Sequence, residues 1–252
     1  MLEYSTYCYL QNQKTGCTFV EQFLRRMSSE PLVAFDKHAA VKQRDPSKFY
    51  FINVRDPLEL YRSLYAYGLD GKGTVWERLT KIGLQSLYAK GPEGFSHWLR
   101  FVLDDDHAQA LGNGYSPASA QLMGLMTWRF YRLAVAGFEA AAPSFKTRKD
   151  VNVYTRDNFF MNAVLKQENL REELVKLVRG PLASRVTSVA DAVAWIEAAP
   201  RINASASLTE NDEVPIDDEA LQLVFSKERR LYRHFYPQAE GFAQWRATKE
   251  EE

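Results

Sequence analysis

The sequence has only two cysteines, Cys8 and Cys17, in 252 residues. That is too few for the disulfide framework of a small secreted domain, so a reducing compartment is expected. Net charge is also missing: 32 Lys and Arg balance 32 Asp and Glu. No global field therefore draws the chain to nucleic acid or to an anionic membrane, and any bound anion must be caught by a local arrangement. No apolar run approaches the roughly 18 residues of a membrane span, and the opening MLEYSTYCYLQNQK lacks a basic leader and a small-residue cleavage site. The expectation is a cytoplasmic protein without a transmembrane segment. With 13 glycines and 10 prolines against 46% hydrophobic residues, disordered and collagen-like classes are excluded. Repeats, low-complexity tracts and Gly/Ser linkers are absent as well, so residues 1–252 are expected to form a single domain.

What is present is an alternation of strand and helix signals. Ser5 to Gln11 (STYCYLQ) is aromatic and β-prone and runs into a Gly-bearing polar turn, after which Thr18 to Met27 carries Phe19, Phe23 and Met27 at helical spacing. Pro31 to Phe35 reads as a short strand. Phe49 to Val54 (FYFINV) is a further strand, closed by Arg55, with Asp56 suited to a helix N-cap and Pro57 to the first helical position. Asp150 to Thr155 (DVNVYT) reads as a later strand, followed by a helical stretch from Asn158 to about Val178. This pattern predicts an α/β protein whose central parallel sheet is covered on both faces, a three-layer sandwich. Residues from about 68 to 149 read as a helical insertion that includes Gly94 to Leu103, a break at Gly112 to Pro117 and a helix over Ala118 to Ala142. Such an excursion is a candidate for a substrate-selecting cap. Asp217 to Phe235 reads as a last amphipathic helix that packs on the sheet.

The most informative segment is Gln13 to Phe19 (QKTGCTF). A strand ends there, a glycine allows close backbone approach, Thr15 and Thr18 supply hydroxyls, and the backbone N–H groups of a helix N-terminus favour an anion. Lys14 precedes Gly16, whereas an ATP-binding P-loop places its lysine after the glycines. A second segment, FINVRDPLELYRSLYAYG, puts Arg55 at the C-terminal end of a strand, where α/β folds bind ligands, and Ser63 eight residues on. The planar fork of arginine suits a phosphate.

Together these segments resemble the sulfotransferases that use 3′-phosphoadenosine 5′-phosphosulfate (PAPS), whose first motif has the form P-K-[ST]-G-[GTSC]-T and whose second has the form V-R-[DN]-P-x-[ED]-R-x-x-S-x-Y. The likeness is closest to the bacterial and carbohydrate branches and reaches less sharply into GFSHWLRFVLDD and VNVYTRDNF. Gln13 replaces the usual proline, and Leu60, Tyr61 and Arg62 precede Ser63 where the family has its arginine earlier.

The resemblance implies a P-loop-like sulfotransferase fold and a division of roles. Lys14 would stabilise charge on the bridging oxygen as the sulfuryl group leaves. Thr15, Gly16, Cys17 and Thr18 would wrap the 5′-phosphosulfate, and Phe19 matches a position where relatives stack the adenine. Arg55 and Ser63 would hold the 3′-phosphate. In Pro200 to Ser207, Arg201 would add a 3′-phosphate contact, and Asn203 and Ser205 match a late loop that closes over the nucleotide.

Transfer to a hydroxyl also needs a base. His38, just past the strand read at Pro31 to Phe35, falls where the family often puts a catalytic histidine or glutamate, and a neutral imidazole could accept the proton near pH 7. The other three histidines, His97, His107 and His234, read as structural. The run Asp104 to His107 reads as a solvated loop, because consecutive residues do not converge on a metal. The reading is therefore a sulfotransferase that moves a sulfuryl group from PAPS to an acceptor hydroxyl, by family likeness on a saccharide. It leaves 3′,5′-adenosine bisphosphate and needs no metal. Two other classes stay open: a nucleotide or small-molecule kinase with an atypical phosphate loop, and a non-catalytic nucleotide-binding protein.

Overall fold

The computed structural model describes residues 1–200 and 215–250. Five strands form one sheet: β1 (Leu2–Tyr4), β2 (Tyr7–Leu10), β3 (Leu32–Phe35), β4 (Phe49–Val54) and β5 (Ala163–Lys166), in the order β3-β1-β2-β4-β5. Helices fill most of the remainder: α1 (Cys17–Met27), α2 (Pro57–Leu69), α3 (Thr74–Lys81), α4 (Gly94–Leu103), α5 (Pro117–Ala120), α6 (Leu125–Ala134), α7 (Phe138–Ala141), α8 (Arg148–Asn158), α9 (Leu170–Arg179), α10 (Val189–Ala198), α11 (Asp218–Phe235) and α12 (Phe242–Glu250). The α/β class expected from the alternating pattern is the class observed. Among the described residues no helix is long and apolar enough to cross a membrane.

The sheet is mixed rather than parallel. β2 pairs parallel with β4, and β4 with β5, as expected of strands joined through helices. β1, which was not anticipated, lies antiparallel to both β2 and β3. Only Ser5 and Thr6 separate β1 from β2, and a connection that short can only fold back on itself. One sheet face presents Leu2, Tyr4, Tyr7, Tyr9, Phe51 and Leu165 to α1, α9 and α10, forming a continuous apolar core. Cys8, Leu10, Tyr50 and Ile52 alternate onto the opposite face and are also buried, as in a sheet covered on both sides.

Three further expectations are corrected. Asp150 to Thr155 is helix, inside α8, and not a strand. Its signal is a reciprocal capping box, in which Thr147 Oγ1 accepts from the Asp150 N–H and Asp150 accepts from the Thr147 N–H at 2.8 Å. The late strand is instead β5, in the stretch read as helical from Asn158. Asn162 starts it by exchanging two hydrogen bonds with the Tyr50 backbone, at 2.7 and 2.8 Å. α11 begins where expected, with Asp217 capping the Ala220 N–H at 2.9 Å, and within the helical unit it packs on α2, α4 and α12. The helix read over Ala118 to Ala142 is broken into α5, α6 and α7.

The chain divides into two compact units. The sheet unit is Met1–Arg55, Phe130–Phe138 and the described part of 155–204, and the helical unit takes Asp56–Arg129, Glu139–Tyr154 and the described C-terminal residues. The helical unit begins at Asp56 and includes the C-terminal helices. Asp56 and Pro57 open α2 as the sequence indicates: Asp56 accepts from the N–H groups of Leu58 and Glu59 at 2.9 and 3.2 Å.

Candidate functional site

β2 ends at Leu10, and the chain from Gln11 to Gly16 turns into α1 under the control of buried amides. Thr15 is fully buried and its hydroxyl donates to the Asn12 carbonyl at 2.9 Å. Asn53, buried within the otherwise apolar β4, donates from Nδ2 to the Thr15 carbonyl at 2.9 Å. Asn12 Nδ2 returns a bond to the Asn53 carbonyl at 3.3 Å. The loop is thus held to the adjacent parallel strand by side chains, because a turning backbone cannot continue the ladder.

Gly16 is the N-cap of α1 with φ of 78°, and its carbonyl accepts from the Phe19 N–H at 3.0 Å. A side chain here would be strained twice: by that left-handed backbone, and by Leu170, whose Cδ2 would lie 2.6 Å from an added Cβ. Lys14 is half-buried with φ of 62°. Arg55, directly after β4, leans toward it, with Nη1 3.5 Å from the Lys14 carbonyl.

His38 also belongs to this end of the sheet. Its Nδ1 lies 2.8 Å from the carbonyl of Gln11. A carbonyl can only accept, so Nδ1 carries the proton and Nε2 is the ring's acceptor nitrogen in the neutral form. The His38 carbonyl accepts from both terminal nitrogens of Arg132 at 3.4 Å. His38 has φ of 63°, and Lys14, His38 and Asn113 are the non-glycine residues with positive φ among those described. Two of the three are thus the residues assigned to catalysis from the sequence. Such backbone is costly for a side-chain-bearing residue and concentrates at functional sites.

The structure brings Lys14, Thr15, Gly16, Cys17, Thr18, His38 and Arg55 into the sheet unit. Ser63 lies half-buried on α2 in the helical unit. Arg201, Asn203 and Ser205 lie outside the described residues. Phe19 is a correction: only 8% exposed, it packs on Trp195 at 5.4 Å, with the Arg171 guanidinium 5.1 Å from its ring centre. The ring belongs to the core, so an adenine would need another partner. Cys17 is buried and its thiol is pushed up by desolvation, which marks it as a packed residue.

Gln11, Asn12, Asn53 and Arg132 were missed by sequence reasoning. The signal available was a polar residue, Asn53, inside the run FYFINV. Glu21, a carboxylate close to the loop in sequence, is engaged by Gln11 Nε2 at 2.8 Å and Arg25 Nε at 2.9 Å.

The remaining histidines stand apart from this arrangement. His107 stacks on Phe101 at 3.9 Å in a 3-10 turn, where a loop was expected, and His234 meets Phe235 edge-on. His97 lines a cleft of about 550 Å³ in the helical unit with Glu93, Ser96, Arg100 and Asp217. Among the described residues no group of three His, Cys, Asp or Glu is placed to hold a metal ion. No family model matches the chain, and neither does any curated protein or solved structure.

Proposed function

We propose that this protein is a PAPS-dependent sulfotransferase with a P-loop-like sulfotransferase fold, acting on a hydroxyl acceptor of saccharide type. The observation that carries the reading is the placement of Lys14 and His38 at the same end of the sheet. Both adopt left-handed backbone, and His38 is tied by Nδ1 to the Gln11 carbonyl at the end of the strand that leads into the Lys14 loop. In the reaction the sulfur–oxygen bond to the phosphate breaks and a new one forms to the acceptor oxygen. Nε2 of His38 takes the acceptor's proton, and Lys14 balances the charge developing on the leaving oxygen. The loop over Thr15 to Thr18 and the start of α1 supply backbone donors to the 5′-group. Arg55 takes the 3′-phosphate, a role that the sequence motif also assigns to Ser63. The buried acceptors Gln11 Oε1 and Asn53 Oδ1, which have no hydrogen-bond partner among the described residues, are of the wrong polarity to bind an anion and have no part in holding it.

The test is thermal stabilisation by nucleotides. A ligand that binds only the native state raises stability as RT ln(1 + [L]/Kd), so 3′,5′-adenosine bisphosphate should shift Tm far more than ADP, 5′-AMP or ATP at equal concentration. Equal shifts would remove the reason to prefer PAPS over ATP. A response to ATP with Mg²⁺ alone would favour the kinase reading.

A further inference from the structure

The helical unit concentrates cations that sulfuryl transfer does not use. On α11, Arg229 and Arg233 are four residues apart, which places two like charges side by side on one helix face. Arg148, the first residue of α8, abuts the same stretch: Arg230 donates from Nη2 to the Arg148 carbonyl at 2.5 Å and from Nη1 to Asn152 Oδ1. Arg230 is 7% exposed, Arg148 and Arg229 are half-buried, and Arg233 is exposed, so the group grades from the interior to solvent. Neither Arg148 nor Arg229 has an ion pair or side-chain hydrogen bond among the described residues.

The acidic residues nearest in sequence are occupied elsewhere. Asp150 accepts from the N–H groups of Lys146 and Thr147, and Glu228 is fully buried against Tyr61, Met126 and Thr127. Desolvation first, then the charges of Arg148, Arg230 and Arg233, push Arg229 down to about 10. A fold that holds Arg229 half-desolvated beside other guanidinium groups disfavours its charged form. An anion would reverse that cost, since guanidinium forks match tetrahedral oxyanions and the attraction strengthens away from bulk water.

We propose that Arg148, Arg229 and Arg233, backed by Arg230, form a binding site for a doubly charged tetrahedral oxyanion, phosphate or sulfate. It would be taken as the free ion or as the ester group of a larger molecule. The proposal does not depend on the sulfotransferase reading.

The experiment is a thermal titration at constant ionic strength, with sodium chloride exchanged for sodium phosphate or sulfate, on wild type, Arg229→Gln, Arg233→Gln and Arg55→Ala. Phosphate should stabilise wild type and should still stabilise Arg55→Ala, because the site proposed here lies outside the one assigned to Arg55. Each α11 substitution should weaken the apparent affinity about tenfold or more, the scale of one charged hydrogen bond. In chloride alone Arg229→Gln should melt above wild type, because repulsion is relieved. Glucose 6-phosphate against glucose separates the sources: a stronger response than inorganic phosphate assigns the site to an ester, and an equal or weaker one to the free ion. The proposal is overturned if wild type shows no oxyanion-specific shift, if the shift survives both α11 substitutions, or if Arg55→Ala alone abolishes it.

Discussion

His38 donates its Nδ1 proton to the main-chain carbonyl of Gln11 across 2.8 Å, and this bond decides which nitrogen of the ring can take a proton. A backbone acceptor cannot be removed by a change of side chain, so the tautomer is set by the fold itself. Arg132 holds the other side of the same residue through the His38 carbonyl. The imidazole is thereby held in one orientation, which is what the proposed role of general base requires.

The two proposed catalytic roles should separate kinetically. His38→Ala should cut turnover by about 10² to 10⁴ while leaving bisphosphate affinity nearly intact, the usual effect of losing a positioned base. Lys14→Ala should also slow turnover, but its deficit should persist at high pH, where an ionised acceptor no longer needs a base. Rate profiles from pH 6 to 10 on both variants distinguish them, and normal turnover in His38→Ala would send the search to a carboxylate.

Arg55→Ala should weaken bisphosphate binding by about 1.5 to 3 kcal/mol, the range for a hydrogen bond to a charged group. Calorimetry should show a much smaller loss for 5′-AMP, which lacks the 3′-phosphate. A uniform loss across both nucleotides would mean that Arg55 supports the loop through Lys14 and does not contact the ligand.

Gly16→Ala should destabilise the protein by about 2 to 3 kcal/mol, because left-handed backbone costs about 1 to 2 kcal/mol and the close approach to Leu170 about 1 kcal/mol more. Gly16→Ala combined with Leu170→Ala should not restore it, since the backbone penalty remains and a cavity is added. Urea unfolding measures both.

Glu228→Gln tests a buried carboxylate hub. Glu228 accepts from the Met126 N–H at 2.9 Å, the Thr127 N–H at 2.8 Å, Thr127 Oγ1 at 2.6 Å and the Tyr61 hydroxyl at 2.5 Å. Burial pushes its carboxyl above the ordinary range against the pull of those bonds. An amide turns one acceptor into a donor facing other donors, so a loss of about 3 kcal/mol is expected by urea unfolding. A change under 1 kcal/mol would show that the site repacks.

Alkaline pH should weaken the fold earlier than lysine or arginine titration would. Burial pushes the Cys8 thiol from 9.0 up to about 12 and the Tyr4 phenol from 10.0 up to about 12. Because the folded values lie above the unfolded ones, the neutral forms stabilise the native state below about pH 9. That contribution drains away as the pH rises toward 12. Urea midpoints should fall from pH 9 to 11, and Cys8→Ala should flatten the decline.

Much of the frame was legible because it rests on local signals. α4 has the bounds its periodicity indicated, and Asp56 with Pro57 opened α2 as their chemistry requires. α8 was misread because Val151, Val153 and Tyr154 favour a strand by propensity, whereas the Thr147 and Asp150 box commits the chain to a helix before those residues are reached. β5 was misread for the opposite reason. AVLK has no helical or strand period of its own, and its edge pairing with β4 depends on Asn162 meeting Tyr50 from 112 residues away.

The sequence by itself determined the class, the glycine turn into α1, the position of Arg55 after a strand and the scarcity of ionisable candidates for a base. These follow from residue type and short-range spacing. Tertiary structure decided that Phe19 is core, that β1 makes the sheet mixed, that Asn53 and Asn12 hold the loop, and that the Gln11 carbonyl selects the tautomer of His38. Each of these depends on a partner distant along the chain. The partner is a ring, a strand edge or a lone carbonyl whose presence no local pattern encodes, because contacts between remote residues are chosen by packing and by the need to satisfy buried polar groups.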